Sequence, residues 1–106
     1  MAVMAKIRTA FQRDYRATIQ SLVKFQLPLA VCTVYEDVPG LTEELRAALA
    51  IFNDTIVREA LSVGADIIDL RSLCTEFGDY SDKSPIEPSV LGGQKIAAAI
   101  HRWLIT

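Results

Sequence analysis

The stretch Leu27–Tyr35, which reads LPLAVCTVY, decides the fold of this chain. It is apolar at nearly every position and ends against Glu36 and Asp37. A strand with one face in water alternates apolar and polar residues, whereas a strand of a parallel sheet covered by helices is apolar on both faces. The stretch therefore predicts a central strand over Leu29–Tyr35, with side chains packed on both sides.

An amphipathic helix precedes this strand. Apolar residues recur every three or four positions, with arginines and a lysine on the opposite side, which predicts one helix from about Ala5 to Phe25. The apolar positions are Ile7, Phe11, Tyr15, Ile19 and Leu22. Pro28 biases Leu27 towards extended geometry, so the helix is expected to end before the strand begins.

A second helix and a second strand follow the turn signal Val38-Pro39-Gly40. Thr42 is a helix-capping residue, and Gly64 can end the helix in the left-handed conformation. The apolar stripe between them is Leu45, Leu49, Phe52, Ile56 and Ala60. Asp66–Leu70 then reads as a short strand, and strands that alternate with helices predict parallel neighbours joined by a right-handed crossover.

The segment Arg71–Ser89 differs from the rest because it is rich in Ser, Asp, Glu and Pro and has no sustained period. It follows the carboxyl end of the second strand, where open α/β sheets bind their ligands, so we expect a functional loop. Pro88 and Ser89 then begin a last amphipathic helix. The pair Gly92-Gly93 near its start predicts the close approach of another backbone.

Composition narrows the classes of function. The 106 residues fit one domain, and 11 Lys and Arg against 13 Asp and Glu give a charge of -2, without a basic stripe for nucleic acid or anionic lipid. No apolar run approaches the roughly 20 residues that span a bilayer, and the start lacks a signal-peptide stretch, so a cytoplasmic location is expected. Cys32 and Cys74 belong to no metal or redox motif, which predicts buried or half-buried free thiols.

Four stretches carry a family resemblance. They are Phe52–Ile56 (FNDTI), Arg58–Ala60 (REA), Asp69–Arg71 (DLR) and above all Pro85–Ala97 (PIEPSVLGGQKIA). In this order and spacing they resemble the C-terminal half of an SGNH (GDSL-type) hydrolase domain, over about Tyr15 to Leu104. The resemblance implies a three-layer α/β/α sandwich with a parallel sheet, of which helix-strand-helix-strand-helix is an incomplete C-terminal portion. It also implies hydrolysis of a small ester by a serine, histidine and aspartate, without a cofactor.

Two features of the family pattern differ in this chain. The Gly-Asp-Ser nucleophile block and the oxyanion-hole blocks have no counterpart, so the chain is expected to begin after them and to be inactive alone. Alignment on Pro88 and Gly92 puts Ser84 in the aspartate place and Glu87 in the histidine place, which makes these two residues the catalytic candidates. A carboxylate with a pKa near about 4 is a weaker base than imidazole unless burial raises its pKa.

Other interpretations stay open. A non-catalytic α/β interaction module would bind a partner through Arg71–Ser89 or through the exposed sheet edge. A nucleotide binder is less favoured because neither strand is followed by a Gly-rich phosphate loop. His101 suits the carboxyl end of the last helix, and the loop carboxylates lack the spacing of a calcium loop, so no metal site is predicted. An apolar strand with an unpaired edge also predicts self-association.

Overall fold

Residues 2–106, which the computed structural model describes, form a mixed α/β chain with a two-stranded parallel sheet. In chain order the elements are α1 (Ala2–Val23), β1 (Ala30–Cys32), α2 (Glu43–Ser62), β2 (Asp66–Ile68), α3 (Leu70–Leu73), a 3₁₀ turn (Phe77–Asp79) and α4 (Val90–Leu104). The first helix thus begins and ends slightly before the predicted Ala5–Phe25. None of the described helices is long and apolar enough to cross a membrane.

The parallel pairing of β1 and β2 is confirmed, with Ala30 opposite Asp66 and Cys32 opposite Ile68. The prediction that β1 is covered on both faces was wrong. Cys32 is exposed, whereas Thr33 is buried, so exposure alternates along the strand. The physical reason is that two short strands form a narrow sheet, which gives helices too little surface to pack on both of its faces.

Of the two cysteines predicted to be buried or half-buried, only Cys74 is buried, and Cys32 is exposed. Partial desolvation raises the pKa of both thiols.

The strands are shorter than the apolar runs that predict them. β1 covers three residues of Leu29–Tyr35, and β2 ends at Ile68 instead of Leu70. β2 stops because Asp69 caps α3, accepting a hydrogen bond from the backbone N–H of Arg71 at 3.1 Å. The segment predicted to be irregular therefore contains part of α3 and the 3₁₀ turn. Such short capped turns leave no period in a sequence.

The longer helices begin and end at their predicted signals. Thr42 Oγ1 accepts from the N–H of Leu45 at 3.2 Å, and Ser89 Oγ accepts from the N–H of Gly92 at 3.1 Å. Gly64, with φ of +73°, follows α2 in the left-handed conformation that glycine adopts without steric cost. The capping residues therefore set where α2 and α4 start, and so they also fix where the loops that precede these two helices end.

The buried side of α2 is more polar than its predicted apolar stripe. Ile56 and Ala60 are buried as expected, but Leu45 is 55% exposed. In its place the helix buries Asn53, Thr55 and Glu59. Buried polar groups require hydrogen-bonding partners, so this side of α2 is held by specific polar contacts more than by apolar area.

The apolar core is small and spread over a flat molecule. The chain measures 43 × 39 × 18 Å, and its radius of gyration of 14.9 Å exceeds the roughly 13 Å of a typical domain of this size. One cluster consists of buried Val38, Cys74 and Tyr80, packed against Tyr35, Leu41, Leu73 and Ile96. This cluster joins the segments after β1 and α3 to α4, and it positions the loop that ends at Ser89.

Candidate functional site

A polar cluster joins the carboxyl ends of the two strands. Thr33 Oγ1 donates to Asp69 Oδ1 at 2.8 Å and accepts from the N–H of Leu70 at 2.9 Å. The Arg71 guanidinium binds the same carboxylate with two bonds, Nε to Oδ1 at 2.8 Å and Nη2 to Oδ2 at 3.0 Å. Hydrogen bonds from Arg71 and from Thr33 lower the pKa of Asp69 to about 2. The carboxyl end of the sheet therefore carries a hydrogen-bonded cluster of one carboxylate, one guanidinium and one hydroxyl group.

The lowered pKa of Asp69 makes the free energy of unfolding depend on pH in the acidic range. Its folded pKa of about 2 lies below the ordinary 3.8, so its contribution is fully present above about pH 4 and is lost as the pH falls through 2. Because both Asp69 and Arg71 are more than a third exposed, we expect a contribution of only about 1 kcal/mol. Urea unfolding at about pH 5 and pH 2 should show that Asp69→Asn loses about 1 kcal/mol less than the unaltered chain. An equal loss in both proteins would contradict this.

Asn53 of α2 holds the backbone that follows β1. Its Oδ1 accepts from the N–H of Val34, and its Nδ2 donates to the Val34 carbonyl and to Glu36 Oε2, each at 2.7 Å. Alternate residues of a parallel strand face opposite edges, and the N–H of Thr33 donates to Ile68 of β2. The groups of Val34 thus face away from β2. Asn53 therefore stands where a further strand would pair, on the edge of β1 that is not paired with β2.

The candidate residues Ser84 and Glu87 lie in one tight turn. The N–H of Glu87 donates to the Ser84 carbonyl at 2.9 Å, with Pro85 at the second position that such turns favour. The Glu87 carbonyl accepts from the N–H of Ser81 at 2.9 Å. The backbone of this turn is therefore held at both ends, although the segment belongs to no helix or strand.

Two tyrosines tie this loop to the sheet. The Tyr35 hydroxyl donates to the Ile86 carbonyl, and the Tyr80 hydroxyl donates to the Cys74 carbonyl. Their rings pack edge to face, with centroids 5.3 Å apart. Burial raises the pKa of Tyr80 to about 12, so its hydroxyl remains a donor. Because Tyr35 follows β1, its bond brings the backbone of Ile86 close to the carboxyl end of that strand.

The start of α4 is locked to the 3₁₀ turn. The N–H of Ser89 donates to the Asp79 carbonyl at 2.9 Å, and a Cβ on Gly92 would lie 2.0 Å from the same oxygen. The close approach predicted for the glycine pair is thus confirmed at Gly92, while a Cβ on Gly93 would meet nothing within 4 Å. Lys95 Nζ lies 2.7 Å from the buried Asp79 carboxylate and lowers its pKa.

Both backbone groups of Glu87 are hydrogen-bonded, whereas its side chain points into solvent-accessible space. It is exposed, and among residues 2–106 no hydrogen bond or ion pair engages its carboxylate. Burial, followed by the charges of Cys74 and Glu87, raises the pKa of Tyr35. Within the same described part, no hydrogen bond joins the Ser84 hydroxyl to Glu87. The turn therefore brings the two residues together without activating Ser84.

The sequence pattern assigns no site role to Thr33, Asn53 or Tyr35, which the structure brings to the ends of the strands. The sequence does carry one signal for this cluster, which is the position of its polar residues. Thr33 lies inside an apolar stretch, and Asp69 directly follows the second strand. The described residues contain no group of three or more His, Cys, Asp and Glu side chains arranged to hold a metal.

An open groove of about 700 Å³ lies beside the Ser84–Ser89 loop. Its apolar walls include Pro39, Phe77, Tyr80, Pro85, Pro88 and Val90. Comparison of the chain with protein-family models, curated proteins and solved structures gives no match.

Proposed function

We propose that this chain is the C-terminal part of an SGNH (GDSL-type) serine ester hydrolase domain with a three-layer α/β/α sandwich, and that it is inactive alone. The observation that carries the proposal is the hydrogen-bonded turn at the carboxyl end of β1, which holds the backbone of Glu87 while its carboxylate stays free. The backbone of this loop is fixed through Ser81, Ser84 and Tyr35. A fixed backbone is what a loop that presents a reacting group requires.

The chemistry needs a companion N-terminal half. A serine hydroxyl attacks the ester carbonyl, a base accepts the serine proton, and the alcohol leaves before water hydrolyses the acyl-enzyme. The 106 residues contain no Gly-Asp-Ser, so the nucleophile belongs to the companion. Glu87, in the histidine place, accepts the proton or orients the group that does. Contact with the companion would bury this carboxylate, and a buried carboxylate is a better base than an exposed one.

The test restores an N-terminal half that carries Gly-Asp-Ser and measures hydrolysis of a short-chain aryl ester. We expect no hydrolysis by the chain alone, because it lacks the serine nucleophile and the oxyanion-hole donors. The donors by themselves contribute a factor of roughly 10²–10³ to the rate. In the restored protein, Glu87→Gln should lower kcat by about 10²-fold or more, the usual effect of losing an acid–base group. The matched control is Asp82→Asn, an exposed carboxylate of the same loop, which should keep its activity.

Two results would contradict the proposal in different ways. A folded Glu87→Gln protein with unchanged kcat would remove the role of the carboxylate and leave the hydrolase assignment standing. A restored and folded protein without any hydrolysis would remove the assignment itself.

A second candidate, a non-catalytic interaction module, is favoured by the groove beside the loop. Phe77 and Val90 on its walls are 82% and 81% exposed, and contiguous exposed apolar surface marks sites of protein interaction. The restored protein separates the candidates, because a module would bind a partner there and hydrolyse no ester.

A further inference from the structure

Another open pocket lies at the amino end of the sheet, at the opposite end from the Ser84–Ser89 loop. It measures about 500 Å³, and its walls are Leu27, Pro28, Asp66, Trp103, Leu104 and Thr106. Pro28 lies two residues before β1, Asp66 is the first residue of β2, and α4 ends at Leu104. Three elements therefore line a volume that falls within the range of small-molecule sites.

The walls of this pocket are mostly apolar. Leu27 and Leu104 are 72% and 67% exposed, so water contacts most of their surface. The ring of Pro28 and the indole of Trp103 add further apolar area. The apolar body of a ligand would remove part of this area from water, which favours binding.

One charged side chain lines the pocket, the carboxylate of Asp66. Its Oδ2 accepts a hydrogen bond from Trp103 Nε1 at 2.8 Å, which orients the carboxylate. Among residues 2–106 no ion pair and no other hydrogen bond engages this side chain. Oδ1 is therefore available to a donor on a ligand, and within the same residues the negative charge has no cationic partner.

Two further features of the walls favour a positive ligand. The 15-residue helix α4 ends at the pocket, and the carboxyl end of a helix carries partial negative charge. Indole is the side chain that attracts organic cations most strongly. An anionic ligand would be repelled by all three groups, whereas a neutral ligand would leave the Asp66 charge without a partner.

We propose that this pocket binds a small organic ammonium ion. The ammonium group donates a hydrogen bond to Asp66 Oδ1, and the apolar body of the ion lies against Leu27 and Leu104. The pocket shares no lining residue with the groove beside the Ser84–Ser89 loop. The inference therefore does not depend on ester hydrolysis, and it holds whether or not the chain belongs to a hydrolase.

Ligands that differ only in their head group test the role of charge. Hexylammonium, hexan-1-ol and hexanoate share one apolar chain, and each is titrated into the isotope-labelled protein under nitrogen–proton NMR. The amides of Leu27 and Leu104 and the indole N–H of Trp103 should shift saturably with hexylammonium, while the amide of Glu87 stays in place. The dissociation constant of hexylammonium should be about fivefold below that of hexan-1-ol, the factor for a charge pair about 4 Å apart in water. Hexanoate should bind more weakly than hexan-1-ol.

Matched variants test the carboxylate itself. Asp66→Asn keeps an oxygen for the indole N–H and removes the charge, so hexylammonium and hexan-1-ol should then bind equally. Asp54→Asn, which alters an exposed carboxylate of α2, should keep the preference for hexylammonium. Leu27→Ser should weaken the binding of both ligands and leave the ratio of their dissociation constants unchanged.

Three results would overturn the proposal. They are the lack of a saturable shift in the unaltered chain, shifts confined to residues outside the pocket, and an unchanged preference for hexylammonium in folded Asp66→Asn. If circular dichroism shows that Asp66→Asn is unfolded, the head-group series and Leu27→Ser decide. Equal binding of the three ligands to the unaltered chain would then overturn the proposal.

Discussion

Replacing Asn53 with alanine is expected to lower the free energy of unfolding by about 3 kcal/mol. The side chain is fully buried and satisfies three partners, the N–H and C=O of Val34 and the carboxylate of Glu36. Alanine removes all three bonds, and a buried donor or acceptor left without its partner costs about 1–3 kcal/mol. The loss is a large part of the roughly 5–15 kcal/mol that stabilises a domain. Urea denaturation followed by circular dichroism measures it.

The matched control is Asp54→Ala, one residue further along the same helix. Asp54 is exposed and pairs with Arg58 one turn later at 2.8 Å, a contact worth up to about 0.5 kcal/mol. Both substitutions introduce the same helix-favouring residue, so their difference isolates the buried contacts. A loss of less than about 1 kcal/mol for Asn53→Ala would show that water replaces its bonds and that it does not hold the end of β1.

Gly92→Ala should destabilise the chain by about 3 kcal/mol. Its new Cβ would lie 2.0 Å from the Asp79 carbonyl oxygen and 2.9 Å from the carbonyl carbon. These are backbone atoms, which cannot swing aside as a side chain can, so α4 must move away from the 3₁₀ turn. That movement also separates the N–H of Ser89 from the Asp79 carbonyl. Thermal and urea unfolding should both report the loss.

The adjacent glycine supplies the control. Gly93 lies in the same helix with nothing within 4 Å of its hypothetical Cβ, so Gly93→Ala should stabilise the chain by up to about 1 kcal/mol through helix propensity. The two substitutions are chemically identical and should have opposite signs. If Gly92→Ala is as stable as Gly93→Ala, the contact between α4 and the 3₁₀ turn is not as close as the structure describes.

Local signals predict the order and type of the elements in this chain. The apolar run around Val31 predicts β1, and Thr42, Gly64 and Ser89 mark helix boundaries, because capping and left-handed turns depend on neighbouring residues. The strand lengths were overestimated for a physical reason. An apolar run describes burial, whereas the ladder between β1 and β2 ends where Asp69, distant in sequence from β1, caps α3.

The polar contacts at the ends of the strands are of the kind that a single sequence does not predict. Thr33 and Asp69 are separated by 36 positions, and Tyr35 and Ile86 by 51. Such pairs have no period and no local motif. Ser84 and Glu87 were identified through a family resemblance, and the turn brings them together because Pro85 sits at a position that favours it. The absence of a hydrogen bond between their side chains was not readable from the spacing.

The chain contains one tryptophan, and its place in the fold gives it a use as a probe. Trp103 Nε1 donates to Asp66 Oδ2 at 2.8 Å, which joins the last turn of α4 to the first residue of β2. Tryptophan fluorescence, excited selectively over the three tyrosines, therefore reports on this one junction. A red shift of the emission would mark the moment at which α4 leaves the sheet, separately from the melting of the helices themselves.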